Sequence, residues 1–333
     1  MDRRNFIKSS TLIGVVPMLS SFKITSSVIK PNALKSGALV GVISPSSSIS
    51  ELQYKKLLEN FGVLGLKLVQ STHLRAHNGF LAGTDEQRIE DLHAMYQNPK
   101  ISAIICARGG YGATRLLDQI DYSIIAAHPK PLIGYSDITA LLLAFYKNCG
   151  HVGFHGPVGV STFNEYTLSH FNAVLTNGEK IKLAPNTPNI IVPGKASGRL
   201  IGGNLSLLVS MIGTRHDPSW KDHILFIEEV SESTYRIDRM LTQLRSSGKL
   251  RGVKGIALGN FTKGDTLPGD PNFKYSIALN EVFHDRLGDL GIPVLAGFSF
   301  GHEEDNATLP IGILASLDTE TSQLALLESA VKH

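Results

Sequence analysis

The chain has 333 residues, of which 42% are hydrophobic and 18% are charged, and its formal net charge is +3. This length and composition predict a soluble globular protein with one large domain or two smaller ones. The small charge excess, with no basic stretch interleaved with aromatic residues, argues against nucleic-acid binding.

The first 30 residues differ in kind from the rest. Arg3 and Arg4 precede the apolar stretch Leu12–Leu19, a pattern typical of a twin-arginine export signal. The stretch is short for a membrane span, so the only membrane contact we expect is transient, through the signal. Residues 1–30 are therefore predicted to be a signal and leader of a periplasmic protein. A basic N-terminus without export function, which would leave the protein in the cytoplasm, is the alternative.

Apolar strands alternate with amphipathic helices from residue 34 to 165. The predicted strands are 38–45, 66–70, 101–107, 131–135 and a fifth beginning at Val152. The predicted helices are 51–61, one that follows a capping box at Thr84 and Gln87, 113–120 and 138–147. This alternation predicts an α/β domain whose mostly parallel sheet is covered on both faces.

The composition changes in the second half of the chain. Residues 166–197 contain several proline, asparagine and glycine residues without a sustained period, which predicts a linker. Residues 198–330 are predicted to form a strand-rich α+β domain. Its predicted elements are helices 205–212, capped by Asn204, and 233–246, and strands 224–228, 253–261, 294–300, 311–317 and 323–327.

Three polar residues follow or end apolar strands, namely Ser136, Glu228 and His302. Active sites of open α/β sheets gather at the carboxyl ends of strands. A serine hydroxyl becomes a nucleophile when an imidazole takes its proton, and a carboxylate fixes the imidazole tautomer. Singly, the three would be a helix cap, a surface carboxylate and a solvated histidine. Together they predict a hydrolase site.

A glycine-rich segment, Arg108-Gly109-Gly110-Tyr111-Gly112, directly follows the third strand. Glycines at a strand end let the backbone approach a ligand and leave N–H groups free. The N–H groups of Gly110 and Asp137 are the predicted oxyanion pair. A phosphate cradle and a tight turn are the other interpretations of this segment.

The two cysteines predict no metal site, because no metal-binding spacing is present. Cys106 lies in an apolar strand and is expected to be buried. A cysteine amidotransferase using Cys106 is disfavoured, since no glycine lies two residues before it. A disulfide with Cys149 remains open, and no cofactor is predicted.

Several of these motifs, in this order, resemble the serine LD-carboxypeptidases, or muramoyltetrapeptide carboxypeptidases. The resemblance runs from about Leu34 to Glu328. The motifs that carry it are Ala82-Gly-Thr-Asp-Glu-Gln-Arg with Asp91-Leu92, Arg108-Gly-Gly-Tyr-Gly, Gly134-Tyr-Ser136-Asp137, His155-Gly-Pro, Gly198-Arg-Leu-Ile-Gly-Gly-Asn-Leu, Phe226-Ile-Glu228-Glu-Val with Tyr235-Arg-Ile-Asp-Arg, and Gly301-His302.

The resemblance implies an active site between the two domains, with a catalytic triad of Ser136, Glu228 and His302 and the backbone of Gly110 and Asp137 as the oxyanion hole. Glu228 rather than Glu229 is taken as the acid because it matches the first acidic position of the motif. Adjacent strand residues also point to opposite faces.

The resemblance further implies hydrolysis of the L,D peptide bond that releases terminal D-alanine from peptidoglycan tetrapeptides. The partner would be a muropeptide or a peptidoglycan stem peptide. Arg108 is the candidate cation for the substrate carboxylate, and Tyr111 and Asn204 are the candidates for lining the pocket. The sequence leaves open which diamino acid is preferred and whether the substrate is a free muropeptide or the intact sacculus. It also leaves open the oligomeric state, for which a homodimer is one option.

Two other functions are weighed against this one. A branch of the same family detoxifies peptide-nucleotide antibiotics, and in that case Trp220 is a candidate for stacking on the base, although packing or a place at a domain surface is favoured for it. A protein of another class, an exported ligand-binding protein without catalysis, would also have two α/β domains around a cleft. That protein would keep its function after Ser136→Ala.

Overall fold

The computed structural model describes residues 28–262 and 277–333. The predicted export signal, except for residues 28–30, lies outside the described residues. Two sheets organise the described part of the chain, a mostly parallel sheet of six strands and a mixed sheet of eight. The predicted fold class is confirmed.

The first sheet has the strand order β12-β5-β4-β3-β1-β2, in which β12 is Leu309–Pro310 and β1 to β5 are parallel. These five strands are β1 (Leu39–Ile43), β2 (Lys67–Gln70), β3 (Ala103–Cys106), β4 (Leu132–Ile133) and β5 (Phe154–His155). The central strand β3 is buried along its whole length, as expected for a strand covered on both faces.

The helices of the first half are α1 (Glu51–Leu64), α2 (Asp85–Gln97), α3 (Tyr122–Ala127), α4 (Thr139–Cys149) and α5 (Glu165–Leu175). The capping box at Thr84 is confirmed, and Ser50 forms a second one at the start of α1. The helix predicted over 113–120 is only a short 3₁₀ turn, Ala113–Leu116.

The second sheet has the order β6-β14-β13-β8-β9-β10-β11-β7, with β8 to β11 parallel at its centre. Its strands are β6 (Lys182–Leu183), β7 (Asn189–Val192), β8 (Lys195–Asn204), β9 (His223–Val230), β10 (Gly255–Thr262), β11 (Val294–Ala296), β13 (Leu314–Asp318) and β14 (Gln323–Leu326). The helices that accompany it are α6 (Leu205–Met211), α7 (Thr234–Ser246) and α8 (Leu279–Leu287).

Residues 166–197, predicted to be a linker, contain regular structure. Most of α5 falls there, and Asn164 caps that helix by accepting a hydrogen bond from the N–H of Thr167. Strands β6 and β7 pair with β14 and β11 at the two edges of the second sheet. Short edge strands lack a periodic pattern, because their pairing comes from distant parts of the chain.

Strand β12 (Leu309–Pro310) connects the two halves of the chain. The sequence predicts one strand here, over 311–317. The structure has two strands instead, and the first, β12, lies before that range, where Leu309 pairs antiparallel with His155 of the first sheet. After a turn at residues 311–312 the chain enters β13 of the second sheet. One segment of the second half therefore completes the sheet that carries the candidate nucleophile.

Trp220 and Cys106 are buried in the core. Trp220 is buried, with the ammonium of Lys249 4.7 Å from its ring centroid, so it packs in the core, as favoured from the sequence, and does not stack on a base. Cys106 is buried as expected, and both cysteines are free thiols. No helix within residues 28–262 and 277–333 is long and apolar enough to cross a membrane.

Candidate active site

Ser136 occupies the sharp corner between β4 and α4. Its φ is +63°, a left-handed conformation that costs a residue with a side chain about 1–2 kcal/mol. The chain can pass this corner because Gly109 lies opposite it, where an added Cβ would be 2.9 Å from the Cβ of Ser136. A strained serine between a strand and a helix matches the geometry of a nucleophile elbow.

The side chain of Asp137 joins the three loops around this corner. Its carboxylate accepts hydrogen bonds from the Ser46 hydroxyl, 2.6 Å, and from the N–H of Ala113, 2.8 Å. Burial raises the pKa of the Asp137 carboxyl. The backbone N–H of Asp137 is thus carried by a turn that its own side chain anchors to the ends of β1 and β3.

The glycine-rich loop after β3 lies against the same corner. Gly110 has φ +116°, and a Cβ there would collide with Ser47, so only glycine fits. The Ser47 hydroxyl accepts a hydrogen bond from the N–H of Tyr111, 3.2 Å. Among the described residues, none accepts a hydrogen bond from the N–H of Gly110.

Arg88 holds the glycine-rich loop in place, a role that the sequence analysis missed. Its guanidinium is 1% exposed and donates to the carbonyl of Pro45 and to that of Gly112, 3.0 Å from the latter. It also pairs with Asp85. A buried arginine needs such partners. The only available signal was its place in the motif Ala82–Arg88.

Glu228 and His302 are in direct contact. The carboxylate Oε2 of Glu228 lies 2.6 Å from Nδ1 of His302. Glu228 is fully buried and its Oε1 has no partner among the described residues, while the His302 side chain is 17% exposed. Burial raises the pKa of Glu228, and His302 opposes that rise. A buried carboxylate on Nδ1 leaves Nε2 of the ring available for proton transfer.

Glu229 points to the other face of β9, as strand alternation predicts. It accepts hydrogen bonds from the Asn204 amide, 3.0 Å, from the Ser206 N–H, 2.8 Å, and from the Ser206 hydroxyl, 2.6 Å. The two neighbouring carboxylates therefore have different surroundings. Glu228 contacts the histidine, and Glu229 holds the start of α6.

One aromatic ring packs against His302. The ring of Tyr135, which precedes the candidate nucleophile, lies edge-on to His302 with 4.7 Å between centroids. Behind Tyr135 lies His155, 6.1 Å away, which also contacts Phe226. Burial, with His302 nearby, lowers the pKa of His155 to about 3. His155 is thus a neutral packing partner near the triad, and the sequence analysis named it only as part of the motif His155-Gly-Pro, without a role.

The two halves of the site meet where β8 ends against the start of α4. An added Cβ on Gly203 would lie 2.5 Å from Thr139 side-chain atoms, and the N–H of Asn204 donates to the Thr139 hydroxyl, 3.1 Å. Asn204 is opposite Glu228 in the β8–β9 register. This junction sets Ser136 and Glu228 relative to each other.

The three candidate substrate residues have different positions. Arg108 is half-buried and donates to the carbonyl of Ser48, 3.3 Å. Tyr111 is 51% exposed and packs edge-on against Phe80. Asn204 is buried, and its amide donates to Glu229, 3.0 Å; its predicted place in the pocket wall stays a prediction.

A cavity of about 810 Å³ opens beside His302. Tyr135 and His302 line its catalytic side, and Glu303, Glu304 and Asp305 line another part. The carboxylate of Asp305 accepts a hydrogen bond from the Asn164 amide, 2.7 Å. Burial and the nearby Asp305 raise the pKa of Glu303. The cavity wall is therefore acidic and favours a ligand that carries a cation.

The structure brings the Glu228–His302 pair together and holds Ser136 at a strained corner beside the glycine-rich loop. The Ser136 hydroxyl makes no hydrogen bond within the described residues. Nucleophile and base are often loosely arranged without substrate. The arrangement suits acyl transfer through a serine.

Comparison with known proteins agrees with this chemistry. A family model described as the LD-carboxypeptidase N-terminal domain matches residues 40–156, and one described as the C-terminal domain matches residues 197–317. The chain belongs to the LD-carboxypeptidase family. The predicted family is thus confirmed, and with it a hydrolase of the serine carboxypeptidase type.

Three relatives illustrate the family. The chain is 37% identical to the probable murein peptide carboxypeptidase of Bacillus subtilis, covering 91% of this chain and 96% of that one. It is 33% identical to the murein tetrapeptide carboxypeptidase of Pseudomonas aeruginosa, covering 84% and 92%. The solved structure of the Escherichia coli microcin C7 self-immunity protein MccF with aspartyl sulfamoyl adenosine has a TM-score of 0.82 at 26% identity, covering 91% and 100%.

Proposed function

We propose that this LD-carboxypeptidase releases terminal D-alanine from peptidoglycan tetrapeptides, with Ser136 as nucleophile, His302 as general base and Glu228 as its orienting acid. The contact between Glu228 and His302, together with the packing of Tyr135, the residue before the strained Ser136, on the His302 ring, supports these roles more than any other observation. Relatives named murein peptide and murein tetrapeptide carboxypeptidase support the substrate.

In the proposed first step, Ser136 Oγ attacks the carbonyl carbon of the diamino acid while Nε2 of His302 takes the hydroxyl proton. The N–H groups of Gly110 and Asp137 donate to the oxyanion. His302 then protonates the amine of the leaving D-alanine, and the acyl-enzyme remains. Water, deprotonated by His302, attacks the acyl carbon and regenerates Ser136.

The surroundings of the site fit this substrate. The acidic wall of Glu303, Glu304 and Asp305 is suited to the amino group of a diamino acid side chain. Arg108 follows β3 beside the glycine-rich loop, and no carboxylate in the described part of the chain pairs with it. We assign Arg108 to the terminal carboxylate of the substrate, and Tyr111 to the wall near it.

The deciding measurement is D-alanine release from a purified tetrapeptide. We expect release by the wild type and none above background by Ser136→Ala. An aminoacyl-sulfamoyl nucleotide serves as the comparison substrate. Absence of release by the wild type from the tetrapeptide would sink the proposed activity, and tight binding without turnover would favour a non-catalytic binding protein.

Hydrolysis of a peptide-nucleotide is the second candidate, favoured by the structural likeness to MccF with aspartyl sulfamoyl adenosine. Two observations weigh against it in this chain. Trp220 is buried, so it cannot stack on a base. The acidic cavity wall repels a nucleotide phosphate. A higher kcat/KM on the nucleotide analogue than on the tetrapeptide would reverse this preference.

We also propose that the protein acts outside the cytoplasm, on the basis of Arg3 and Arg4 before the apolar stretch Leu12–Leu19. Replacement of both arginines by lysine should block export, because the two cations are not interchangeable in specific recognition. Fractionation of a producing cell measures this result. Equal periplasmic amounts of wild type and variant would contradict a twin-arginine route.

A further inference from the structure

The motif Tyr235-Arg236-Ile237-Asp238-Arg239 in the first turns of α7 has no role in the proposed mechanism. Ile237 is buried in the core, and Asp238 pairs with Arg286 at the end of α8, 3.1 Å. These two residues hold α7 in place. Tyr235, Arg236 and Arg239 are exposed, so packing does not account for them.

The three exposed side chains form a compact cluster. Tyr235 is 61% exposed, and the guanidinium carbons of Arg236 and Arg239 lie 5.8 and 5.4 Å from its ring centroid. Both arginines are within range of a cation–π interaction. Arg236 also donates to the Tyr235 hydroxyl, 3.1 Å, and this hydrogen bond lowers the pKa of Tyr235.

The cluster has an excess of positive charge. Arg236 forms an ion pair with Glu232, 3.2 Å. Arg239 has no carboxylate partner in residues 28–262 and 277–333. Together with Glu232 and Met240, the cluster lines a groove of about 400 Å³. An arginine held on an aromatic ring, with its fork of N–H donors unpaired, is suited to a carboxylate.

Strand β9 connects this groove to the catalytic cavity. Glu228 contacts His302, Val230 lines the cavity and Glu232 lines the groove. At about 3.3 Å per residue, Glu228 and Glu232 are at most about 13 Å apart along the chain. An extended peptide advances by about 3.5 Å per residue, so about 13 Å equals about four residues. This is an upper limit, because β9 ends at Val230 and the left-handed Ser231 (φ +63°) turns the chain, which brings the edge of the groove at Glu232 within reach of substrate residues upstream of the cut bond.

We propose that Arg239, supported by Tyr235, binds the free α-carboxylate of the γ-linked glutamate in the stem peptide, one residue before the diamino acid. This proposal rests on the proposed function and adds a specificity determinant to it. The excess charge of the groove is complementary to that carboxylate, and the stacked guanidinium is already oriented for it.

Two tetrapeptides that differ only at this group provide the test, one with the α-carboxylate and one with the carboxamide. We expect the wild type to have a KM about 3- to 10-fold lower for the carboxylate, with similar kcat. Arg239→Gln should raise KM for the carboxylate to the value for the carboxamide, and Arg239→Lys should give an intermediate KM.

Arg251→Gln is the matched control, because Arg251 is also exposed but lies beyond the other end of α7. It should behave as wild type on both peptides. Equal wild-type KM values, or a rise for both peptides in Arg239→Gln, would overturn the proposal. A changed association state of Arg239→Gln in sedimentation would instead mark an interface between copies and also overturn it. Release of D-alanine by the wild type from neither peptide rejects the proposed function, and the subsite with it.

Discussion

Ser136→Ala is expected to lower kcat for D-alanine release by about 10⁴- to 10⁶-fold, the range found when a triad nucleophile is removed. The structure indicates that this loss comes from the missing nucleophile and not from misfolding of the variant. Ser136 has φ +63°, and alanine and serine pay a similar cost for that left-handed conformation. The variant should therefore fold as the wild type does.

A second variant separates strain from chemistry at the same position. Ser136→Gly should also be inactive, but its free energy of unfolding should exceed that of Ser136→Ala by about 1 kcal/mol, because glycine tolerates the left-handed conformation. Urea denaturation measures the difference. If Ser136→Ala retains the wild-type rate, Ser136 is not the nucleophile; if Ser136→Gly is less stable than Ser136→Ala, the corner is not strained.

Glu228→Gln is expected to lower kcat by about 10⁴-fold, while Glu229→Gln lowers it less than about 10-fold. The amide in place of Glu228 removes the carboxylate that faces Nδ1 of His302. Glu229 is adjacent in sequence but holds Asn204 and Ser206 on the opposite face. Its replacement should instead lower the free energy of unfolding by about 1–3 kcal/mol.

The pH dependence of stability gives an independent check on Glu228. Burial raises its pKa in the folded state, so its ionisation favours the unfolded chain. The wild type therefore loses stability as the pH rises above the ordinary glutamate pKa of about 4.3. Glu228→Gln lacks this loss, and its stability relative to the wild type should increase with pH over that range. A difference that is constant with pH, or kcat values that fall equally in both glutamine variants, would contradict these assignments.

The candidate site was accessible from sequence because its residues lie at strand ends. Ser136 and Glu228 lie at the carboxyl ends of β4 and β9, and His302 follows β11 by six residues. Parallel strands bring Glu228 and the loop of His302 to the same edge of the second sheet. Ser136 belongs to the first sheet, and its position relative to Glu228 is set by the contact between β8 and α4. Strand alternation also separated Glu228 from Glu229. Local pattern therefore pointed to these strand ends, while the resemblance to the family selected Glu228 as the acid, and the catalytic roles stay predictions.

Other parts of the site depend on contacts between distant residues. Arg88 lies in a helix, and its carbonyl partners belong to two separate loops. Asn204 has the sequence pattern of a helix cap, and it does cap α6. The carboxylate that accepts a hydrogen bond from its amide is that of Glu229, in the next strand, β9. The strain at Ser136 is a backbone angle, which no local pattern reveals.

The late position of β12 in the chain sets a minimum time for the first sheet to be completed during synthesis. Its partner β5 ends at His155, roughly 150 residues earlier in the chain. At synthesis rates of about 5–20 residues per second, the edge of β5 waits roughly 8–30 s for its neighbour. During that interval the sheet that carries Ser136 has an open edge, which can pair with other chains. The nascent protein is thus most vulnerable to aggregation before the segment around His302 has emerged.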